Sequence, residues 1–128
     1  MQRLGLLLFA SIFVTGGWAQ IQQPTQRADQ ARKLGLPVPD ELVQASGAAM
    51  IGAALALQIA PLRRLAALLL ALQLVPITFV GHRFWELEPG PSRNGHRVHF
   101  FKNLSLIGAA LALAGAPEGA AAAHGQRA

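Results

Sequence analysis

Phe79-Val80-Gly81-His82-Arg83-Phe84-Trp85 closes one long apolar segment, and Phe100-Phe101-Lys102-Asn103 opens the next. Between them lies a short polar stretch with Pro89-Gly90-Pro91 and Asn94-Gly95. Two apolar segments joined this way read as a helical hairpin. It would bring aromatic and polar groups from both segment ends to one depth. The sequence puts any function of this chain there or just below it.

Working outward, the pattern extends over the chain. Of its 128 residues, 52% are hydrophobic and 13% charged, and mean hydropathy is +0.36. A soluble domain carries about 25% charged residues. The few charges lie between apolar blocks, as in a membrane protein. The blocks are continuously apolar without period-two alternation, so they read as helices, not barrel strands. Their backbones must satisfy their own hydrogen bonds in lipid. The expected fold is an all-α membrane protein, a four-transmembrane-helix bundle. Its helices are expected over about 4–21, 42–60, 65–84 and 98–116, in a single domain of residues 1–128 with a frayed tail over 117–128.

The first block admits two readings. Arg3, an apolar core and Gly17-Trp18-Ala19 also fit a signal peptide with a cleavage site. The segment from Gln26 to Leu34 reads as a short amphipathic helix at the interface, stopping at Gly35 ahead of Leu36-Pro37-Val38-Pro39. Asp40 and Glu41 then suit the N-terminus of the second helix. The tight turn Pro61-Leu62-Arg63-Arg64 makes the second and third helices an antiparallel hairpin. His82 to Arg97 reads as a turn-rich loop.

Small residues at four-residue spacing suggest packing seams at Ala48, Gly52 and Ala56 and at Gly108, Ala112 and Ala116. Gln58, Gln73, Thr78, Asn103 and Ser105 are expected to face the interior. Pro76 should bend the third helix, since its ring displaces the carbonyl of Leu72, and so open space below His82.

The candidate site follows from helical spacing. If the third helix continues past Gly81, Thr78, His82 and Trp85 share one face; His99, Lys102 and Asn103 share a face of the fourth. These six residues form the candidate ligand site. Their donors and acceptors suit the carbonyls of a quinone, with Trp85, Phe84 and Phe100 flanking its ring. A second reading is purely structural: an aromatic belt, a snorkelling Lys102, and a His82–Asn103 tie between helices. A third would use His82, His96 and His99 as metal or haem ligands, but no carboxylate of diagnostic spacing joins them, and no metal is expected.

Several functions are excluded or disfavoured. With no Cys there are no disulfides, thiolate metal sites or Cys-x-x-Cys redox chemistry. The net charge of +5 resides in loops and helix ends beside lipid, without the basic–aromatic pattern of a nucleic-acid reader. No hydrolytic motif or phosphate loop is present. Every Asp and Glu lies in a loop or at a helix end, unlike the intramembrane acid of a proton-coupled transporter.

The chain resembles the DoxX family of small four-helix membrane proteins. The resemblance rests on Pro76-Ile77-Thr78-Phe79, His82-Arg83-Phe84-Trp85, the Phe100 to Gly108 run, Leu34 to Pro39 and Gly47 to Leu57. It implies a retained first helix, an integral location in a bacterial cytoplasmic membrane, and a loose tie to redox chemistry. Relatives include the small subunit of an archaeal thiosulfate:quinone oxidoreductase. One departure is clear. Many relatives carry a Glu in the second helix and Gly-Gly in the fourth. Here the second helix has Gln44 and Met50, and the fourth Gly108-Ala109-Ala110, which argues against acid-dependent chemistry.

The resulting expectation is an auxiliary or quinone-facing subunit of a membrane redox system, not catalytic on its own. A small-molecule permease and a structural partner without ligand are the alternatives. The expected partners are the lipid bilayer, membrane oxidoreductase subunits or a second copy of the chain, with no nucleic acid. A count of Arg and Lys by loop would put the termini outside. The family and the Arg63-Arg64 pair put them in the cytoplasm.

Overall fold

The computed structural model describes residues 1–117 and is helical, with no strand among them. Five α-helices follow in order: α1 (Gln2–Gln22), α2 (Pro24–Arg32), α3 (Asp40–Ala56), α4 (Arg63–Gly81) and α5 (Pro91–Gly115). Short 3-10 turns, Ala60–Leu62 and Phe84–Glu86, flank α4. Beyond Pro117, the tail expected to fray lies outside the described residues.

Three stretches are long and apolar enough to cross a membrane: Gln2–Gln22, Ala60–Glu86 and Pro91–Gly115. The α3 helix has 17 residues, about 25 Å at the rise of an α-helix. It is shorter than expected because the chain leaves the α-helix after Ala56, and Gln58 consequently sits exposed in the turn. Arg63 seals this turn, its Nε donating to the Leu57 carbonyl at 2.9 Å. The exterior is broadly apolar, with Leu4, Leu8, Leu65, Leu72 and Val98 exposed, as lipid contact requires.

The main packing pairs are α1 with α3 and α4 with α5, joined along α3–α4. Phe13, Met50, Ala54, Leu57, Ala67 and Leu70 lie in one buried cluster. The α1–α3 seam is a backbone contact. A Cβ on Gly17 would stand 2.6 Å from the Gly47 carbonyl oxygen, and one on Gly47 would stand 2.5 Å from that of Gly17. In lipid, small residues permit the close approach that gives helices their van der Waals contact. The expected seams at Ala48, Gly52, Gly108 and Ala112 are corrected: all four residues are exposed, and no neighbour stands within 4 Å of a Cβ built on Gly52 or Gly108. Ala116 is exposed beyond the end of α5, and Ala56 is half-buried beside the core. The contact stripe of α5 instead includes Ala110 and Ala114.

The α2 helix is punctuated at both ends as its sequence suggests. Pro24 takes its first position, where no backbone donor is needed. Gly35, at φ +78°, closes it: the Leu36 N–H donates to the Ala31 carbonyl and the Gly35 N–H to the Arg32 carbonyl. A polar latch holds α2 to the start of α3. Arg32 pairs with Asp29 and Asp40, each at 2.8 Å, and the Thr25 hydroxyl donates to Asp40. Thr25, and then Arg32, hold the Asp40 carboxyl below its ordinary range.

Two boundaries differ from expectation at the α4–α5 junction. The α4 helix stops at Gly81, and the chain turns at His82 (φ −130°, ψ 51°) before the 3-10 turn at Phe84–Glu86. The α5 helix begins at Pro91, so the polar residues up to Arg97 are helical rather than loop. Their charges hide the helical pattern, while Pro91 at the first position starts it.

Candidate functional site

One end of the bundle is hollow. A cleft of about 430 Å³ lies between the C-terminal ends of α1 and α4, the N-terminal end of α3, α2 and the start of α5. Its walls are mostly apolar, with Val43, Pro76, Ile77 and Val80 among them. Polar groups come from Gln20 of α1, Gln23 between α1 and α2, Gln26, Arg27 and Gln30 of α2, Ser46 of α3, His82 and His96. The space expected beside Pro76 is therefore present. Pro76 has no N–H, so the Leu72 carbonyl lacks its usual intrahelical donor.

Beside the cleft is a smaller, half-open pocket of about 120 Å³, with the exposed Ile12 and Lys102 on its rim. Gln20, Arg27, Ile77 and His82 border both spaces. The smaller one adds Lys102 and Asn103 from α5 and Met50 from α3. No Asp or Glu lines either space.

The geometry gathers some of the six candidates. His82 stands at the junction, its Nδ1 3.3 Å from that of His96, and its ring stacks on His99 with centroids 5.3 Å apart. His99 in turn meets Lys102, with Nδ1 and Nζ 3.4 Å apart. Asn103 is buried, as expected, and reaches the smaller pocket. No His82–Asn103 hydrogen bond forms among the described residues.

Thr78 and Trp85 line neither space. Thr78 is fully buried, and its hydroxyl donates to the Leu74 carbonyl at 2.5 Å. Trp85 leaves the His82 face because α4 ends before it. Its ring packs edge-on against Phe84 and Phe100, and the Arg83 guanidinium carbon lies 5.4 Å from its centroid. Phe79 and Phe101 also pack against Phe100, making an aromatic cap over this end of α4–α5. Ser105 is exposed, donating to the Phe101 carbonyl within its own helix, and Gln73 is half-buried with its Oε1 unpartnered.

The spacing within α4 and α5 does not reveal the contribution of α1 and α2. Gln20, Gln23, Gln26, Arg27 and Gln30 recur at three- and four-residue intervals, the sequence signal of one polar stripe running across both helices. Gln20 is buried, and its Nε2 lies 3.7 Å from the Met50 sulfur, a weak acceptor. The three imidazoles make no metal cage: among the described residues, no group of three His or carboxylate side chains converges as an ion needs.

The DoxX family model matches residues 4–83. The chain belongs to the DoxX family. Membership and the apolar helices together make it an integral membrane protein. The DoxX match spans α1 to α4 and includes Gln20, Arg27, Thr78 and His82. It stops before Trp85, His96, His99, Lys102 and Asn103, so the likeness read from Phe100 to Gly108 lies outside it. No curated protein and no solved structure matches the chain.

Proposed function

We propose that this DoxX protein is a multi-pass protein of the bacterial cytoplasmic membrane. It serves as an auxiliary, quinone-facing subunit of a membrane redox system. The α3 helix is its fourth span, completed by the turn at Leu57–Ile59. The termini are cytoplasmic.

The observation that carries this reading is the cleft: about 430 Å³, apolar-walled, with imidazole and amide groups gathered at one end of the bundle. Ligand pockets of about 300–1,000 Å³ combine apolar walls with a few placed polar groups in this way. His82 and His96 can each donate to or accept from a quinone carbonyl. Lys102 and Asn103 act behind them from the smaller pocket, and His99 through its stack on His82. Thr78 and Trp85 shape this end of α4 without touching the ring.

With no Cys and no acid at the cleft, the residues suit holding a quinone more than transforming one. The alternatives fit less well. The other half of the bundle is filled by Ala54, Leu57, Ala67 and Leu70, all without exposed surface, which opposes a permeation path. A structural partner without ligand leaves the cleft unused.

The test is the quinone content of protein purified from native membranes in a mild detergent. Wild-type protein should retain quinone in near-stoichiometric amount. Val80→Trp, which fills the cleft, and His82→Ala should lose it. Retention no higher than that of an unrelated membrane protein purified alongside would refute the reading.

A further inference from the structure

We propose that the smaller pocket, half open and bordered by α1, α4 and α5, is an anion site for a group of carboxylate size. The inference goes beyond quinone binding, although Gln20, Arg27 and His82 border both spaces and Lys102 and Asn103 stand behind the proposed quinone position.

Three observations carry it. The first is charge. Arg27 and Lys102 both border the pocket, and no Asp or Glu lines it or the cleft beside it. Arg27 forms no ion pair among the described residues. Arg27 is half-buried and burial pushes its guanidinium pKa down, while Lys102 is exposed at the rim. A partly buried cation without an acid beside it is open to an anionic partner.

The second observation is a pair of amides at the pocket. Asn103 is only 4% exposed, yet its amide atoms are not sealed off: the sealed, unpartnered polar atoms among the described residues are Gln73 Oε1 and Arg83 Nε. Gln20, 3% exposed, has its Nε2 turned only to the Met50 sulfur. Both side chains border the pocket and can donate N–H groups into it.

The third is size. A pocket of about 120 Å³ has room for a carboxylate head with water beside it. Water would satisfy the two amides. It would not neutralise Arg27 and Lys102, whereas an anion does both. A carboxylate accepts at two oxygens and so can take an amide N–H and a charged donor together. It can arrive on an apolar tail lying in the cleft, or free from solution.

The test uses full-length, quinone-free protein in phosphatidylcholine nanodiscs, titrated calorimetrically against empty discs. Octanoate, acetate and octanol are the probes. Saturable octanoate binding without acetate binding identifies an amphiphile head; saturable acetate binding identifies a free anion. In either case Lys102→Met should weaken binding about tenfold, the loss of one charge-assisted contact. Asn103→Leu should weaken it while keeping the fold, and Arg97→Gln, outside both cavities, should leave it unchanged. The proposal is overturned if neither acid saturates or octanol binds as well as octanoate. It is equally overturned if Arg97→Gln weakens binding as much as Lys102→Met. Quinone retention by native protein is a separate readout, so the two readings can fail independently.

Discussion

Where α1 crosses α3, backbone meets backbone: each of Gly17 and Gly47 would place an added Cβ within 2.6 Å of the other's carbonyl oxygen. Where α4 meets α5, rings meet rings: Phe79, Phe84, Trp85, Phe100 and Phe101 pack at one end beside the stack of His82 and His99. The glycine seam leaves no room for a side chain or a ligand. The ring seam holds its helices through long side chains, and beside it lie the cleft and the smaller pocket. In lipid the hydrophobic effect favours neither arrangement. The difference therefore separates a part of the bundle built for close packing from a part that can hold a guest.

The contrast can be broken by substitution. Phe100→Ala removes the ring on which four other aromatic side chains converge. It should cost about 3 kcal/mol, the low end for an aromatic truncation in a core. Reversible unfolding in bicelles measures this, and a loss below the error of the method would show that the cap does not hold α4 to α5. Gly47→Ala should cost about 2 kcal/mol, because a backbone carbonyl cannot step aside as a flexible side chain can. The paired control is Gly52→Ala, where nothing stands near the added methyl. Equal losses at Gly47 and Gly52 would show that backbone approach is not what closes the α1–α3 seam.

The latch on α2 gives a smaller, local effect with a defined pH dependence. Asp40 is held below its ordinary value of 3.8 by the Thr25 hydroxyl and then by Arg32. A depressed folded-state value means that the latch contributes fully above the ordinary value. It is lost as the pH falls through the depressed one. Hydrogen exchange should therefore show α2 loosening below about pH 4 while α1 and α3 stay protected. Asp40→Asn should loosen α2 at neutral pH as well. Exchange in α2 that does not change with pH would argue against the latch.

The smallest effects are expected at the exposed glycines. Gly52→Ala and Gly108→Ala should each stabilise their helix by at most about 1 kcal/mol, the ordinary helix preference for Ala over Gly. Thermal unfolding distinguishes a small gain from the loss that a buried seam would give.

Much of this fold was legible in the sequence. Runs of Leu and Ala announce α1, α3, α4 and the second half of α5, and Gly35 announces the end of α2. The rest was hidden for physical reasons. Pro91 to Arg97 carries too little apolar periodicity to read as helix, though its Pro is well placed to begin one. Gly17 and Gly47 are lost among many Ala and Gly residues, and only three-dimensional packing selects the pair that touches. Spacing groups Trp85 with His82 because it presumes an unbroken helix, and the turn at His82 breaks it. Spacing places His99, Lys102 and Asn103 on one face because α5 is regular there, and His82 because it directly follows the regular α4. The stripe from Gln20 to Gln30 is hard to read because it spans two helices meeting at the irregular Gln23.

The most direct test of the central claim, that guests enter at the cleft, is photocrosslinking with an azido-quinone in native membranes followed by peptide mapping. The account predicts label on residues 19–31 and 76–82, lost in Val80→Trp. Label confined to the exposed Leu4 to Leu8 face of α1, or label indifferent to Val80→Trp, would contradict it.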